Sequence, residues 1–188
     1  RTGPLALIDR PSTLQVPFPG PLAAGSSSPL IGKPAFGGGR LTRASRVAPA
    51  RDDKILTSWN ALTIRALASA GRLLSRTDFI AAAERAFDFI IQHHWRDGRL
   101  LATSRHGVAS VPGYLDDHGF MLAATVELLN CRWRRGDLEF AVALADVLLT
   151  QFEDEQRGGF YFTARDHEAL LVRVRSFSDD ALPSGNVM

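Results

Sequence analysis

Three pairs of adjacent aspartates are the residues of this 188-residue chain whose types and spacing best suit chemistry. They are Asp52–Asp53, Asp116–Asp117 and Asp179–Asp180, and each precedes small, aromatic or apolar residues typical of a helix start. Two carboxylates held close together can act as general acid and general base, as glycoside hydrolysis requires. A carboxylate at a helix start can instead cap free N–H groups and offset the helix dipole. One acid would be sufficient for a cap, so the doubling keeps the catalytic interpretation open.

A histidine directly follows the second pair of acids. His118 beside a carboxylate could act as the base that a sugar epimerase needs for proton abstraction, although a structural or surface histidine is the more common explanation of such a residue. The candidate catalytic residues are therefore Asp53, Asp116, Asp117, His118 and Asp180.

Aromatic and polar side chains near the acid pairs could bind a sugar. Trp59 and Tyr114 could stack on sugar rings, although such aromatics often belong to a core. Asn60, Ser184 and Asn186 could donate hydrogen bonds to hydroxyls, or could cap their own turns. These five residues are the candidate substrate-binding set.

The sequence predicts no metal site and no cofactor. His93 and His94 are adjacent, so they project from different helix faces and cannot share a metal as i, i+4 pairs do. Cys131 is the one cysteine, which excludes an internal disulfide and fits a reducing, cytoplasmic compartment. No apolar run reaches the roughly 18 residues of a membrane-spanning helix, so we expect no membrane partner.

The composition of the chain changes near residue 45. Residues 1–50 hold eight of the ten prolines and seven of the sixteen glycines, which predicts a disordered low-complexity segment over 1–45 and a folded domain over 46–188. Residues 1–50 hold six Lys/Arg and one acid, whereas 51–188 hold sixteen and nineteen. The pI of about 9.1 therefore describes the N-terminal segment. Its basic residues are too sparse to predict nucleic-acid binding.

Two helical hairpins follow this segment. The apolar spacing predicts a helix capped by Thr57 or Ser58 and a second helix from Thr77 or Asp78. The same pair is predicted again, with a helix capped by Asp116 or Asp117 and another that begins at Gly136–Asp137. The apolar stripe of the first helix is predicted to be Leu62, Ala66, Leu67, Ala70, Leu73 and Leu74.

Short extended segments are predicted after each hairpin. They are 100–104 with 108–111, and a β-hairpin of 160–163 with 170–174.

The two hairpins are internal repeats. Leu115 follows Leu56 by 59 positions, and Asp137 follows Asp78 by the same interval. Single helical hairpins cannot bury their apolar stripes and must stack on neighbours. Closing several of them into a ring gives an α/α toroid whose helix entrances gather around one pocket.

Several motifs resemble a known family. Asp52–Asn60 resembles the hallmark of the thioredoxin-domain-containing proteins related to spermatogenesis-associated protein 20. The further matches, in the same order along the chain, are Pro112–Asp117, Gly158–Phe162, Asp166–Glu168 and Pro183–Asn186, and the resemblance spans about residues 45–188. It implies a thioredoxin-like domain followed by a six-hairpin toroid similar to N-acylglucosamine 2-epimerases and six-hairpin glycosidases. This chain would be a mainly α fragment from the middle of that toroid, with short β-hairpins between the helical hairpins.

Two functions follow from these observations and remain open. The first is a carbohydrate-active or carbohydrate-binding toroid, either glycosidase-like or epimerase-like, with a saccharide ligand. The alternative is a non-catalytic scaffold that supports a separate thioredoxin-like redox domain absent from this chain. Acid pairs that converge within roughly 5–10 Å would favour the first function. Acids that only cap their own helices would favour the second.

Overall fold

The computed structural model describes residues 52–168, 171–179 and 181–187. The segment 1–45, for which disorder is predicted, lies outside the described residues. Lys54–Met188 forms one compact unit, and the fold and site below belong to it.

Four helices in two hairpins make up most of this unit. The first hairpin consists of α1 (Thr57–Leu73) and α2 (Thr77–His94), and the second of α3 (Leu115–Cys131) and α4 (Arg135–Val147). A π-helical turn at Leu148–Phe152 continues α4. The mainly helical class and the repeated hairpin are therefore confirmed.

A small antiparallel sheet connects the two hairpins. Its strands are β1 (Ile55–Leu56), β2 (Trp95–Arg96), β3 (Arg99–Arg105) and β4 (Val108–Pro112), and β3 pairs with each of the other three. The turn between β3 and β4 holds His106–Gly107 at positive φ, 51° and 78°. Both extended segments predicted here are present.

The main core lies where α1 packs against α2 and α3. Its fully buried members include Ala61, Ile64, Ala68, Phe87, Ile90, Phe120 and Leu128. The predicted stripe of α1 was partly wrong, because Leu73 and Leu74 are 73% and 65% exposed. The buried face consists instead of Ile64 together with small residues, Ala61, Ala68 and Gly71, which let neighbouring helices approach closely. Gly71 shows this best, since an added Cβ would lie 2.6 Å from Ile80 Cγ1.

Two local predictions were also wrong. The N-cap of α1 is Leu56, without a side-chain cap, because the hydroxyl of Thr57 turns into the interior. In the described part of the predicted second β-hairpin, the structure has an isolated bridge between Glu153 and Phe160. One hydrogen bond, from Phe162 N–H to Val174 O at 2.8 Å, keeps this chain segment close to its predicted partner.

Candidate functional site

An open cavity of about 320 Å³ lies at the N-terminal end of α3. Its wall is built from the start of α3, from Phe162 and from the final described loop. The lining residues are Leu115, Asp116, Phe162, Ser176, Ser178, Ala181, Leu182, Pro183, Ser184 and Asn186. Three predicted site residues, Asp116, Ser184 and Asn186, therefore border the same space.

Asp116 is the one charged residue among the described lining residues. Its Oδ1 accepts a hydrogen bond from Gly185 N–H at 3.0 Å, which fixes the carboxylate against the loop. Burial raises the pKa of Asp116 above its ordinary value, and the Gly185 hydrogen bond opposes this shift. Gly185 is required for this approach, since an added Cβ would lie 2.6 Å from Oδ1.

Ser184 and Asn186 shape the cavity wall. Asn186 Oδ1 accepts from Phe160 N–H at 2.7 Å, while its Nδ2 donates to Phe160 O at 2.9 Å and to Ser176 O at 3.0 Å. Ser184 Oγ donates to Ser176 O at 2.8 Å, and Asp179 Oδ1 accepts from Ser184 N–H at 2.9 Å. Both side chains thus hold the loop in place, and their polar groups are already used by the backbone.

Asp117 joins two helix entrances and does not line the cavity. Its Oδ1 accepts from Ser58 N–H in the first turn of α1 at 2.9 Å, and its Oδ2 accepts from Tyr114 N–H at 2.9 Å. The residue is 3% exposed. Burial raises its pKa to about 6, against the effect of the two N–H donors.

The doubled acid therefore has a structural explanation that sequence reasoning did not provide. Asp117 reaches back to the entrance of α1, whereas Asp116 reaches forward to the loop at Gly185. Each acid satisfies a backbone N–H of a different neighbouring segment. The predicted alternatives were convergence on a pocket or capping of the same helix, and the observed arrangement combines part of each.

His118 has no ring nitrogen left for a ligand. Its Nδ1 lies 2.9 Å from Tyr114 O, and its Nε2 accepts from Leu100 N–H at 3.3 Å, so Nδ1 carries the proton. The side chain is fully buried, and burial lowers its pKa to about 4. This geometry does not support the predicted role of His118 as a general base.

None of the other predicted site residues that the structure describes lines the cavity. Trp59 is 58% exposed in the first turn of α1, and Asn60 Nδ2 donates to Leu56 O at 2.8 Å. Tyr114 stacks on Phe162 with ring centroids 4.9 Å apart, which places it beside the cavity wall. Asp180 lies outside the described residues, and Asp53 belongs to the preceding unit. Roles for Asp53 and Asp180 stay predictions.

His94, for which the sequence indicated only that it cannot share a metal with His93, is buried and links α1, α2 and β3. Thr57 Oγ1 donates to Leu101 O at 2.5 Å, so it must accept from His94 Nδ1–H at 2.7 Å. His94 Nε2 consequently accepts from Ser104 Oγ at 2.8 Å. Burial lowers the pKa of His94 to about 4. The sequence feature that could have predicted its burial is its position four residues after Ile90, on the same face of the helix.

The described residues contain no group of three His, Cys, Asp or Glu side chains placed to hold a metal ion. No helix in this part of the chain is long and apolar enough to cross a membrane.

The chain resembles curated proteins over most of its length. It is 28% identical to human spermatogenesis-associated protein 20 over 155 residues, which cover 77% of this chain and 20% of that protein. The rat protein of the same name is 27% identical over 146 residues. No family model matches the chain. These matches confirm the family resemblance that the sequence motifs predicted. The chain is similar to proteins named spermatogenesis-associated protein 20. It spans about a fifth of the length of these relatives.

Two solved structures share the fold of this chain. Cellobiose 2-epimerase from Bacillus thermoamylovorans B4167 matches 60% of the chain and 33% of its own length, with a TM-score of 0.55 and 13% identity. Cellobiose 2-epimerase from Spirochaeta thermophila matches 61% and 30%, with a TM-score of 0.54 and 19% identity. Both are α/α toroids of the N-acylglucosamine 2-epimerase type. The predicted toroid architecture is therefore confirmed.

Proposed function

We propose that this chain contributes a saccharide-binding wall to a carbohydrate-active toroid, with the sugar in the cavity beside α3. The observation that carries the proposal is Asp116, a half-buried carboxylate at the cavity surface with one oxygen held by Gly185. The anchored carboxylate is oriented before a ligand arrives, which lowers the entropy cost of binding.

The rest of the lining suits a sugar. Leu115, Leu182 and Pro183 offer apolar surface for the C–H faces of a ring, and Ser178 adds a hydroxyl. The structural neighbours are named for their action on cellobiose, a disaccharide, which agrees with this ligand class.

Acid–base chemistry on the sugar would need a second group. Burial raises the pKa of Asp116, which makes its ionised carboxylate a stronger proton acceptor and suits the role of general base towards the sugar. Asp180 is our candidate for its partner, because Ala181, the next residue along the chain, lines the cavity. The single cysteine of the chain supports our proposal of a cytoplasmic location.

The test is calorimetric titration of the full-length protein with cellobiose. Asp116→Asn keeps an oxygen for Gly185 N–H but removes the charge, and we expect affinity to fall about tenfold, equivalent to ~1.4 kcal/mol. The matched control is Asp146→Asn, an exposed residue of α4, which should bind as the unaltered protein does. Equal affinity of the Asp116→Asn and unaltered proteins would remove Asp116 from the site.

A second function, that of a non-catalytic scaffold, is favoured by one observation. Asp117, His118 and Asn186 all use their polar groups inside the fold. On this alternative the unit supports a thioredoxin-like redox domain elsewhere in the protein. Disulfide reduction by the full-length protein would then fall when Asp117→Ala loosens the unit, while no monosaccharide or disaccharide would bind. The scaffold function would be excluded if the protein bound a sugar and Asp117→Ala left disulfide reduction unchanged.

A further inference from the structure

Asp116, the cavity carboxylate, differs from two other shielded carboxylates of the unit, Asp137 and Asp154, in having no cation partner among the described residues. Asp137 forms ion pairs with Arg132 and Arg134, and Asp154 forms one with Arg175 at 2.9 Å. Asp116 forms none with the described residues, and no Lys, Arg or His lines the described cavity. Its charge is therefore poorly compensated within the part of the chain that the structure describes.

Hydrogen bonding does not provide the missing compensation. Asp117, the neighbouring carboxylate, receives a backbone N–H on each of its two oxygens. Asp116 receives one N–H, from Gly185, on Oδ1. Among the described residues no donor contacts Oδ2, although the side chain is half-buried and borders the cavity. A ligand that brings a donor to Oδ2 would complete this site.

The charge of the site also limits which ligands fit. A helix N-terminus ordinarily attracts anions. At α3, however, Asp116 and Asp117 both lie in the first turn and offset that effect. An acidic sugar would bring a second negative charge to Asp116, whereas an ammonium group would form a charge-assisted hydrogen bond with it.

We propose that this cavity selects a saccharide with a free amino group, whose ammonium donates to Asp116 Oδ2. The inference rests on the proposed saccharide site and specifies its ligand class. A sugar hydroxyl could also donate to Oδ2, but only the ammonium compensates the charge. The apolar residues Leu182 and Pro183 then contact the uncharged face of the same ring.

The experiment compares four monosaccharides on the full-length protein by calorimetry: glucosamine, N-acetylglucosamine, glucose and glucuronate. Glucosamine and N-acetylglucosamine have a substituent on the same carbon and differ in its charge. We expect glucosamine to bind about tenfold more tightly than the two neutral sugars, and glucuronate to bind more weakly than both. Asp116→Asn should remove the preference for glucosamine, and Asp146→Asn should retain it.

A salt titration of the unaltered protein gives a second measurement that does not depend on a variant. Raising the salt concentration should weaken the binding of glucosamine and leave glucose unaffected, because only the charged pair is screened. Glucosamine that binds no more tightly than glucose, or a preference that survives both salt and Asp116→Asn, overturns the ammonium inference alone. Binding of none of the four sugars overturns the saccharide site itself.

Discussion

Acidification should destabilise this protein through two buried histidines. His94 and His118 are fully buried, both ring nitrogens of each are hydrogen-bonded, and burial lowers both pKa values to about 4. In the unfolded chain a histidine titrates near an ordinary pKa of about 6.5. Between these values the unfolded state binds protons that the folded state does not. The stabilisation is therefore fully present above about pH 6.5 and is lost as the pH falls towards 4.

Asp117 works in the opposite direction. Its folded pKa of about 6 lies above its ordinary value, so the folded state takes up a proton first and gains stability as the pH falls. From pH 7 to pH 5, each histidine should lower the free energy of unfolding by about 2 kcal/mol, and Asp117 should raise it by about 1 kcal/mol. The free energy of unfolding should therefore fall by roughly 3 kcal/mol.

Urea denaturation followed by circular dichroism at the two pH values measures this loss. His94→Gln and His118→Gln should each destabilise the protein at pH 7, because a buried partner is left unsatisfied, and each should remove about 2 kcal/mol of the pH dependence. The control is Leu144→Ala, a fully buried apolar position, which should lower stability by a similar amount at both pH values. Histidine ring signals that titrate in the ordinary range, or variants that keep the whole pH dependence, would refute the reasoning.

Two further predictions concern the contacts between helices. Asp117→Ala leaves Ser58 N–H and Tyr114 N–H without their acceptor, so the free energy of unfolding should fall by about 1–3 kcal/mol, whereas Asp146→Ala should change it by less than about 0.5 kcal/mol in thermal melts. Gly71→Ala forces a Cβ against Ile80 and should cost about 1–3 kcal/mol, while Gly136→Ala, which meets nothing within 4 Å, should stabilise α4 by about 0.5–1 kcal/mol. A Gly71→Ala variant that melts higher than the unaltered protein would show that the α1–α2 contact is looser than described.

Composition and periodicity predicted most of the helical architecture. The change near residue 45, the apolar spacing and the 59-residue interval are local properties of the chain, and they are sufficient to predict two equivalent hairpins. The motif at Asp52–Asn60 likewise predicted the relatives that the comparisons identified. Such features can be predicted without the tertiary structure, because the helical period and the helix starts depend mainly on residues close in sequence.

The face that α1 buries could not be read from hydrophobicity. Leu73 and Leu74 are apolar but exposed, whereas Ala61, Ala68 and Gly71 are small and buried. Because α1 packs between α2 and α3, it needs small residues where each neighbouring helix comes close. Which positions these are depends on helices that lie further along the chain.

The roles of the site residues were decided by tertiary structure. Asp116 and Asp117 are adjacent in sequence and chemically identical, yet one borders a cavity and the other ties two helix entrances together. His118 is placed beside both, but its ring nitrogens reach Tyr114 and Leu100 within the fold. The sequence by itself predicted carboxylates at helix starts, and among the described residues the pair Asp116–Asp117 lies in the first turn of α3. Only the packing of α1, α3 and the final loop decided which carboxylate oxygen meets a backbone N–H and which faces the cavity. The reason is that these hydrogen bonds join residues 59 and 69 positions apart in the chain.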